Sequence, residues 1–215
     1  MGPHKLICFD IDGTLTDTKS SWFSITEGLG CPIDEVIKFY GAAMSGKISF
    51  TEGEEKVAEI FKSSGKATRE FIRGIFEKES LKPEALGLAR FLKENGYAIW
   101  LISGAVDMYV RSVAEKIGAA GFYAHASLEF DANDVLSKIN YGGDQNPWKA
   151  EVAGKLAKDY GVAPADMIFV GDGPNDVDVF KLTGHGIAVY PYDEKLDGIA
   201  WKKVKSLSEI KDILK

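Results

Sequence analysis

The feature of this sequence that most limits its fold is a repeated unit. A short apolar run stops at a polar tip, and a helical stretch that ends in glycine follows. Lys5-Leu-Ile-Cys-Phe runs into Asp10, Ala98-Ile-Trp-Leu-Ile102 into Ser103-Gly104, and Met167-Ile-Phe-Val170 into Gly171-Asp172. Gly186-Ile-Ala-Val-Tyr190 is a fourth run of this kind. Short, nearly continuous apolar runs read as strands buried on both faces. Between them, Lys93-Glu-Asn-Gly96, Glu115-Lys-Ile-Gly118 and Lys158-Asp-Tyr-Gly161 each place Lys in a last helical turn and Gly just beyond it. That pattern ends a helix. Strand and helix alternating in this cadence predict an α/β fold, an open parallel sheet with helices on both faces.

One segment interrupts the cadence. Residues 15–83 contain no strand-like run with a polar tip. They offer helical candidates near 20–29, 34–44, 51–63 and 68–78, with Val57, Ile60, Phe61 and then Phe71, Ile72, Ile75, Phe76 at helical spacing. This predicts a helical insertion directly after the first strand. Residues 122–138 read as a hairpin excursion turning at Asp131-Ala-Asn-Asp134. Ser206-x-x-Glu209 reads as a capping box opening a last helix that runs to about Leu214.

Composition narrows the partners. The chain has 215 residues, a formal charge of −6 and no apolar stretch near the ~18 residues of a membrane span. Acidity argues against nucleic acid and anionic membranes as partners. The first residues lack the pattern of a signal peptide. Gly2 has Leu6 where a myristoylation signal carries Ser or Thr. Cys8 and Cys31 read as unpaired thiols of a cytoplasmic protein. Glycine is in excess, 23 residues, with no low-complexity tract. The excess is therefore assigned to helix ends and to close backbone turns.

In an open parallel sheet, ligands bind beyond the carboxyl ends of the strands. Three of the four runs end there in polar motifs: Asp10-Ile-Asp12-Gly-Thr14, Ser103-Gly104 and Gly171-Asp172-Gly-Pro-Asn175-Asp176. Four carboxylates gathered at one rim repel one another unless a cation binds them or some keep their protons. Oxygen-only ligation of this kind suits Mg²⁺, usually completed by a substrate phosphate. Asn146-Pro147-Trp148-Lys149 reads as an N-cap, a Pro at the first helical position and a lysine in the first turn. A helix start, a lysine and a metal together make an anion site. An EF-hand reading fails because it puts Cys8 and Lys19 at the first and twelfth loop positions. A dinucleotide loop at Gly171-x-Gly173 fails because position 176 is Asp.

By these residues the chain resembles the haloacid dehalogenase-like (HAD) phosphohydrolases, whose four motifs stand here in order: Asp10-x-Asp12-Gly-Thr14, Ser103, Lys149 and Gly171-Asp172-Gly-x-Asn175-Asp176. The resemblance spans 1–14 and 84–215 and implies a Rossmann-like catalytic core there, with 15–83 as a helical cap. It implies a Mg²⁺-dependent phosphatase working through an aspartyl-phosphate, with Asp10 as nucleophile and Asp12 as general acid and base. It implies metal ligation by Asp10, the Ile11 carbonyl and Asp172, with Asp12 a further candidate. Asp176 would reach the metal's waters or orient Lys149. Ser103, the Gly104 N–H and Lys149 would hold the phosphoryl oxygens.

Within the family, the helical cap, Ser20-Ser21-Trp22, Gly46-Lys-Ile-Ser49 and Lys149-Ala-Glu-Val are similar to the phosphoserine phosphatase-like subgroup. Three features depart from true phosphoserine phosphatases. Lys19 stands where those enzymes carry Glu, no Arg precedes Arg69, and Ser103-Gly-Ala-Val106 replaces Ser-Gly-Gly-Phe. The expected substrate is a small phosphorylated metabolite such as phosphoglycolate, a sugar phosphate, a nucleotide or phosphoserine. Lys19, Trp22 and Lys47 are candidates for reading it. Trp22, Phe23, Phe39, Tyr40 and Phe50 line its pocket or form the cap's own core. Two alternatives remain at this stage, a phosphotransferase or phosphomutase of the same fold and a non-catalytic binding protein. His4, His125 and His185 share no ligand spacing and read as surface or packing residues.

Overall fold

The computed structural model describes residues 5–143 and 145–214; Gly2 and His4 lie outside them. Among the described residues seven strands form one sheet: β1 (Lys5–Phe9), β2 (Tyr97–Val106), β3 (Gly121–Phe130), β4 (Leu136–Asn140), β5 (Met167–Gly171), β6 (Gly186–Val189) and β7 (Lys202–Val204). Their order is β4-β3-β2-β1-β5-β6-β7, and only β4 is antiparallel to its neighbour. The predicted α/β fold with a Rossmann-like parallel sheet is the fold observed.

Alternation along β1 divides the interior. Ile7 and Phe9 point into one apolar cluster, Leu6 and Cys8 into the other. The first cluster receives Leu88 and Leu92 from α5 (Ala85–Glu94), Val110 and Val113 from α6 (Asp107–Ile117), and Ile210 from α9 (Ile210–Ile213). The second receives Ala153 and Leu156 from α7 (Gln145–Tyr160) and Val179 and Phe180 from α8 (Val177–Thr183). Each buried Val, Leu, Ile or Phe among them contributes about 1.5–3 kcal/mol over leaving it in water.

The helical insertion forms as predicted, to within a residue or two: α1 (Ser21–Leu29), α2 (Ile33–Met44), α3 (Phe50–Ser63) and α4 (Arg69–Glu77). Ser20, Ser49 and Thr68 cap α1, α3 and α4 by accepting N–H bonds in the first turn. The insertion's apolar side chains, among them Ile25, Phe61 and Ile72, join the first cluster, and Phe76 packs on Tyr109 at 5.2 Å. The chain enters and leaves it side by side, bridged between Thr16 and Leu81. Among the described residues no helix is long and apolar enough to cross a membrane.

Three local readings differ from the structure. The segment after α6 does form a hairpin, turning where Asp131 Oδ1 accepts the N–H groups of Asn133 and Val135. Its first strand, however, also extends the main sheet, pairing in parallel with β2 from Trp100↔Gly121 onward. β7 was not anticipated, because Lys202-Lys-Val204 is too short and too charged to read as a strand. The Ser206/Glu209 box does not form: Glu209 accepts the N–H of Lys205, Ser206 pairs with Ser208, and a 3₁₀ turn opens α9.

Candidate active site

Strand register assembles the site. Phe9 of β1 lies level with Leu101 of β2 and Val170 of β5. Asp10 and Asp172, just past the ends of β1 and β5, and Ser103, still within β2, therefore meet at the same edge of the sheet. Lys149, on α7 and fully buried, reaches beneath them, its Nζ 2.8 Å from Asp10 Oδ2 and 2.7 Å from Asp176 Oδ1. The other oxygen of Asp176 accepts the N–H groups of Asp172 (3.1 Å) and Gly173 (3.0 Å). Thr14 donates its hydroxyl to Asp172 Oδ1. Oxygens of Asp10, Asp172 and Asp176 lie within 4.8 Å of one another and could hold a metal ion. Asp12 sits beside them, with Oδ2 accepting the Ser21 N–H at the start of α1 (3.1 Å).

Asp12, Asp172 and Asp176 are uncomfortable as anions. Burial, then the charge of Asp10, pushes Asp12 up to about 7, against the opposing pull of the Ser21 N–H, the Tyr109 hydroxyl and Lys149. Burial and the charge of Asp10 raise Asp172 to about 7 as well. Burial raises Asp176 to about 6 even though Lys149 stabilises its anion. For Lys149, burial alone would favour the neutral amine, but Asp10 and Asp176 outweigh it and hold the ammonium charged. Asp10 Oδ1 is buried with no hydrogen-bond partner among the described residues. A buried carboxylate oxygen left orphaned within an all-oxygen cluster is a fitting donor for a hard divalent cation.

Two glycines make room for this arrangement. Gly13 has φ +76°, and a Cβ there would stand 2.2 Å from Asp172 Oδ2. A Cβ on Gly171 would stand 2.2 Å from Asp176 Oδ2.

The candidate residues distribute unequally. Asp10, Asp12, Ser103, Gly104 and Asp172 line a cavity of about 580 Å³, with Lys19 and Trp22 on its wall. Lys47 is exposed in the turn after α2 and lines neither this cavity nor the one beside it. The Ile11 carbonyl is a correction: it accepts the N–H groups of Thr14, Leu15 and Thr16 and the Thr16 hydroxyl, so its own loop consumes it and it is ill placed as a metal ligand. Asn146 is a second correction. The helix begins at Gln145, and Asn146 Oδ1 instead accepts the N–H of Asp178, in the first turn of α8.

Sequence reasoning passed over Gln145, Asn175, Lys195 and Tyr109. The Gln145 side chain lies over Gly104, where a Cβ would come within 1.9 Å of it, and accepts from Asn175 Nδ2 at 2.7 Å. Lys195 adds a second cation to the cavity wall. Tyr109 is buried and pairs with Thr16 at 3.0 Å. Apart from Asn175, which the last motif contains, none of these stands in a recognisable pattern.

A second cavity, about 330 Å³, adjoins the first and shares Ser20, Trp22, Tyr40, Tyr141 and Gln145 with it. Val36, Phe50 and Val57 supply much of the remaining wall. Of the aromatic residues proposed for a pocket, Trp22, Phe23, Tyr40 and Phe50 line it, and Phe39 packs against the core instead.

Comparison with known proteins gives consistent matches. The family model described as haloacid dehalogenase-like hydrolase matches residues 4–184. A phosphoserine phosphatase of Methanocaldococcus jannaschii is 30% identical over 187 residues, covering 86% of this chain and 84% of that protein. One of Archaeoglobus fulgidus is 29% identical over 185 residues, 86% of this chain; the matched region spans only 52% of that relative's length. A solved structure described as a substrate-bound phosphoserine phosphatase complex superposes with a TM-score of 0.77 at 27% identity, covering 100% of both chains. Another, a phospho-aspartyl intermediate analogue of phosphoserine phosphatase, gives 0.75 at 28% identity over 98% of this chain and 99% of that one.

Proposed function

The chain belongs to the haloacid dehalogenase-like hydrolase family, and from that premise we propose that it is a Mg²⁺-dependent phosphatase that hydrolyses a small phosphomonoester through Asp10. The observation that carries this reading is the fully buried Lys149 clamped between Asp176 and Asp10, the latter on the cavity wall. Lys149 fixes the Asp10 carboxylate in one orientation and supplies positive charge where a phosphoryl group would gather negative charge. Ser103 and Gly104, on the cavity wall, would hold the remaining phosphoryl oxygens.

Asp10 attacks phosphorus while the bond to the alcohol oxygen breaks, leaving an aspartyl-phosphate. Asp12, pushed up to about 7, carries a proton often enough at neutral pH to give it to the departing alkoxide. As the resulting carboxylate it then takes a proton from water, which attacks phosphorus and releases phosphate with Asp10 restored. Mg²⁺, when bound by Asp10 and Asp172 with Asp176 behind them, would neutralise charge on the transferring phosphoryl group. Asp12 is fixed by the first turn of α1, so movement of segment 15–83 as a cap over 1–14 and 84–215 would set the acid in place as water is excluded. Both cysteines are free, which fits a reducing, cytoplasmic setting.

The test is phosphate release from p-nitrophenyl phosphate with Mg²⁺ and with EDTA, in wild type and in Asp10→Asn. The proposal expects Mg²⁺-dependent release that Asp10→Asn abolishes. Release by Asp10→Asn at the wild-type rate contradicts it.

A further inference from the structure

The cavity adjoining the carboxylates is the least polar surface near the site, and nothing in the proposed chemistry uses it. Its polar atoms are mostly occupied with one another. The Tyr40 and Tyr141 hydroxyls lie 3.0 Å apart, Gln145 Nε2 donates to Tyr141 at 2.7 Å, and Glu54 accepts the Tyr141 N–H at 2.5 Å. What remains facing inward is ring and aliphatic surface. Tyr40 meets Tyr141 edge-on at 5.5 Å, and Phe50 stacks on it at 6.2 Å.

On α2, Ile37, Tyr40 and Met44 stand at i, i+3 and i+7 and are 45–50% exposed. They do not face open solvent on a convex surface. Ile37 and Tyr40 line the apolar cavity, and Tyr40 and Met44 line the carboxylate cavity. A contiguous apolar stripe left uncovered inside a cleft marks a binding surface. Trp22 belongs to both cavities, and its buried indole N–H has no acceptor among the described residues. An oxygen of a ligand at that junction would supply one.

We propose that the alcohol portion of the substrate is apolar: its phosphoryl group sits over Asp10 while its hydrocarbon body fills the cavity between α1, α2 and α3. This rests on the reading of the site as a phosphomonoesterase. A dry cavity of ~150 Å³ takes a benzene ring, so about 330 Å³ has room for one or two rings or a branched chain. The preferred substrate class is accordingly an arylalkyl or alkyl phosphate. Compact polar esters such as phosphoserine or phosphoglycolate leave the cavity empty.

The experiment separates recognition from chemistry. Binding to the Mg²⁺-loaded protein is measured by calorimetry with ethylphosphonate, hexylphosphonate and 2-phenylethylphosphonate, which cannot be hydrolysed. Turnover is measured with the matching phosphate esters and phosphoserine, whose alcohols leave with similar difficulty. Affinity and kcat/KM should rise about fourfold per buried methylene. The 2-phenylethyl compounds should exceed the ethyl compounds and phosphoserine by at least about tenfold. Ile37→Asp should collapse that ratio, and Ile37→Leu should keep it. Equal affinity for ethyl- and 2-phenylethylphosphonate overturns the apolar assignment, and the phosphatase reading stands if the esters are still hydrolysed. A preserved phosphonate ratio with no ester hydrolysed supports the pocket and overturns the phosphatase reading. Phosphoserine turned over faster than 2-phenylethyl phosphate overturns the substrate class.

Discussion

Replacing Lys149 with Met keeps the length and the burial but removes the one positive charge that Asp10 and Asp176 share at 2.8 and 2.7 Å. Removing one partner of a buried ion pair costs about 3–5 kcal/mol, because the other charge is left unpaired in a dry site. A chain of 215 residues unfolds with an entropy of about 0.45 kcal/mol/K, so the melting temperature should fall by about 7–11 °C near pH 8. The size of the fall should depend on pH. Asp12 and Asp172 at about 7 and Asp176 at about 6 hold protons more tightly folded than unfolded. Stability linked to them is therefore present at low pH and lost as pH rises from about 4 through 7. Without Lys149 the same carboxylates repel more strongly and protonate more readily. The gap between variant and wild type should accordingly be smaller at pH 5 than at pH 8. Mg²⁺ should raise the variant's melting temperature more than the wild type's, since it replaces the missing charge. Calorimetric melting at pH 5, 6.5 and 8, with Mg²⁺ and with EDTA, reads all three effects. A fall of less than about 2 °C at pH 8, or a gap that widens as pH drops, refutes the reasoning.

Three further outcomes follow from the same geometry. Asp12→Asn should lower kcat/KM for alkyl phosphates by about 10²–10⁴ but much less for p-nitrophenyl phosphate, whose leaving group needs no proton. With the water-activating base gone, nitrophenol should appear as a burst before slow turnover, and stopped-flow and steady-state rates on the two ester types check this. Thr14→Ala removes the hydroxyl that Asp172 Oδ1 accepts and should raise the Mg²⁺ concentration for half-maximal activity about 10–100-fold, measured by metal titration. Gly13→Ala forces a side chain into φ +76° and onto the Asp172 carboxylate. It should destabilise the fold by about 1–3 kcal/mol and weaken the Mg²⁺-induced rise in melting temperature, both read from thermal melts.

How much of this was legible in the sequence depends on the range of the interaction concerned. β1, β5 and β6 and the four helices of the insertion announce themselves through periodicity and caps within one segment. Asp10, Asp12, Ser103, Lys149, Asp172 and Asp176 could be named because each stands in one of four ordered motifs, although β2 runs on past Ser103 to Val106 and α7 already opens at Gln145. Parallel pairing then brings the strand tips together. β3 escaped as a sheet strand because Gly121–Phe130 is mostly half-buried and does not show a continuous apolar run. The Ile11 carbonyl was misplaced because a motif says nothing about which way a carbonyl points inside a five-residue turn. The apolar cavity was only partly legible. Its wall comes from α1, α2, α3, β4 and the start of α7, and no single segment carries its pattern. Lys195 and Gln145 reach the site by tertiary folding alone.

The central claim is that Asp10 carries the phosphoryl group. Acid-quenching the Mg²⁺-loaded protein during turnover of p-nitrophenyl phosphate, followed by peptide mass spectrometry, tests it directly. One phosphoryl group is expected on the peptide bearing Asp10, absent when Mg²⁺ is withheld and absent in Asp10→Asn. A phosphoryl group on any other residue, or turnover in which no phosphorylated peptide forms, contradicts it.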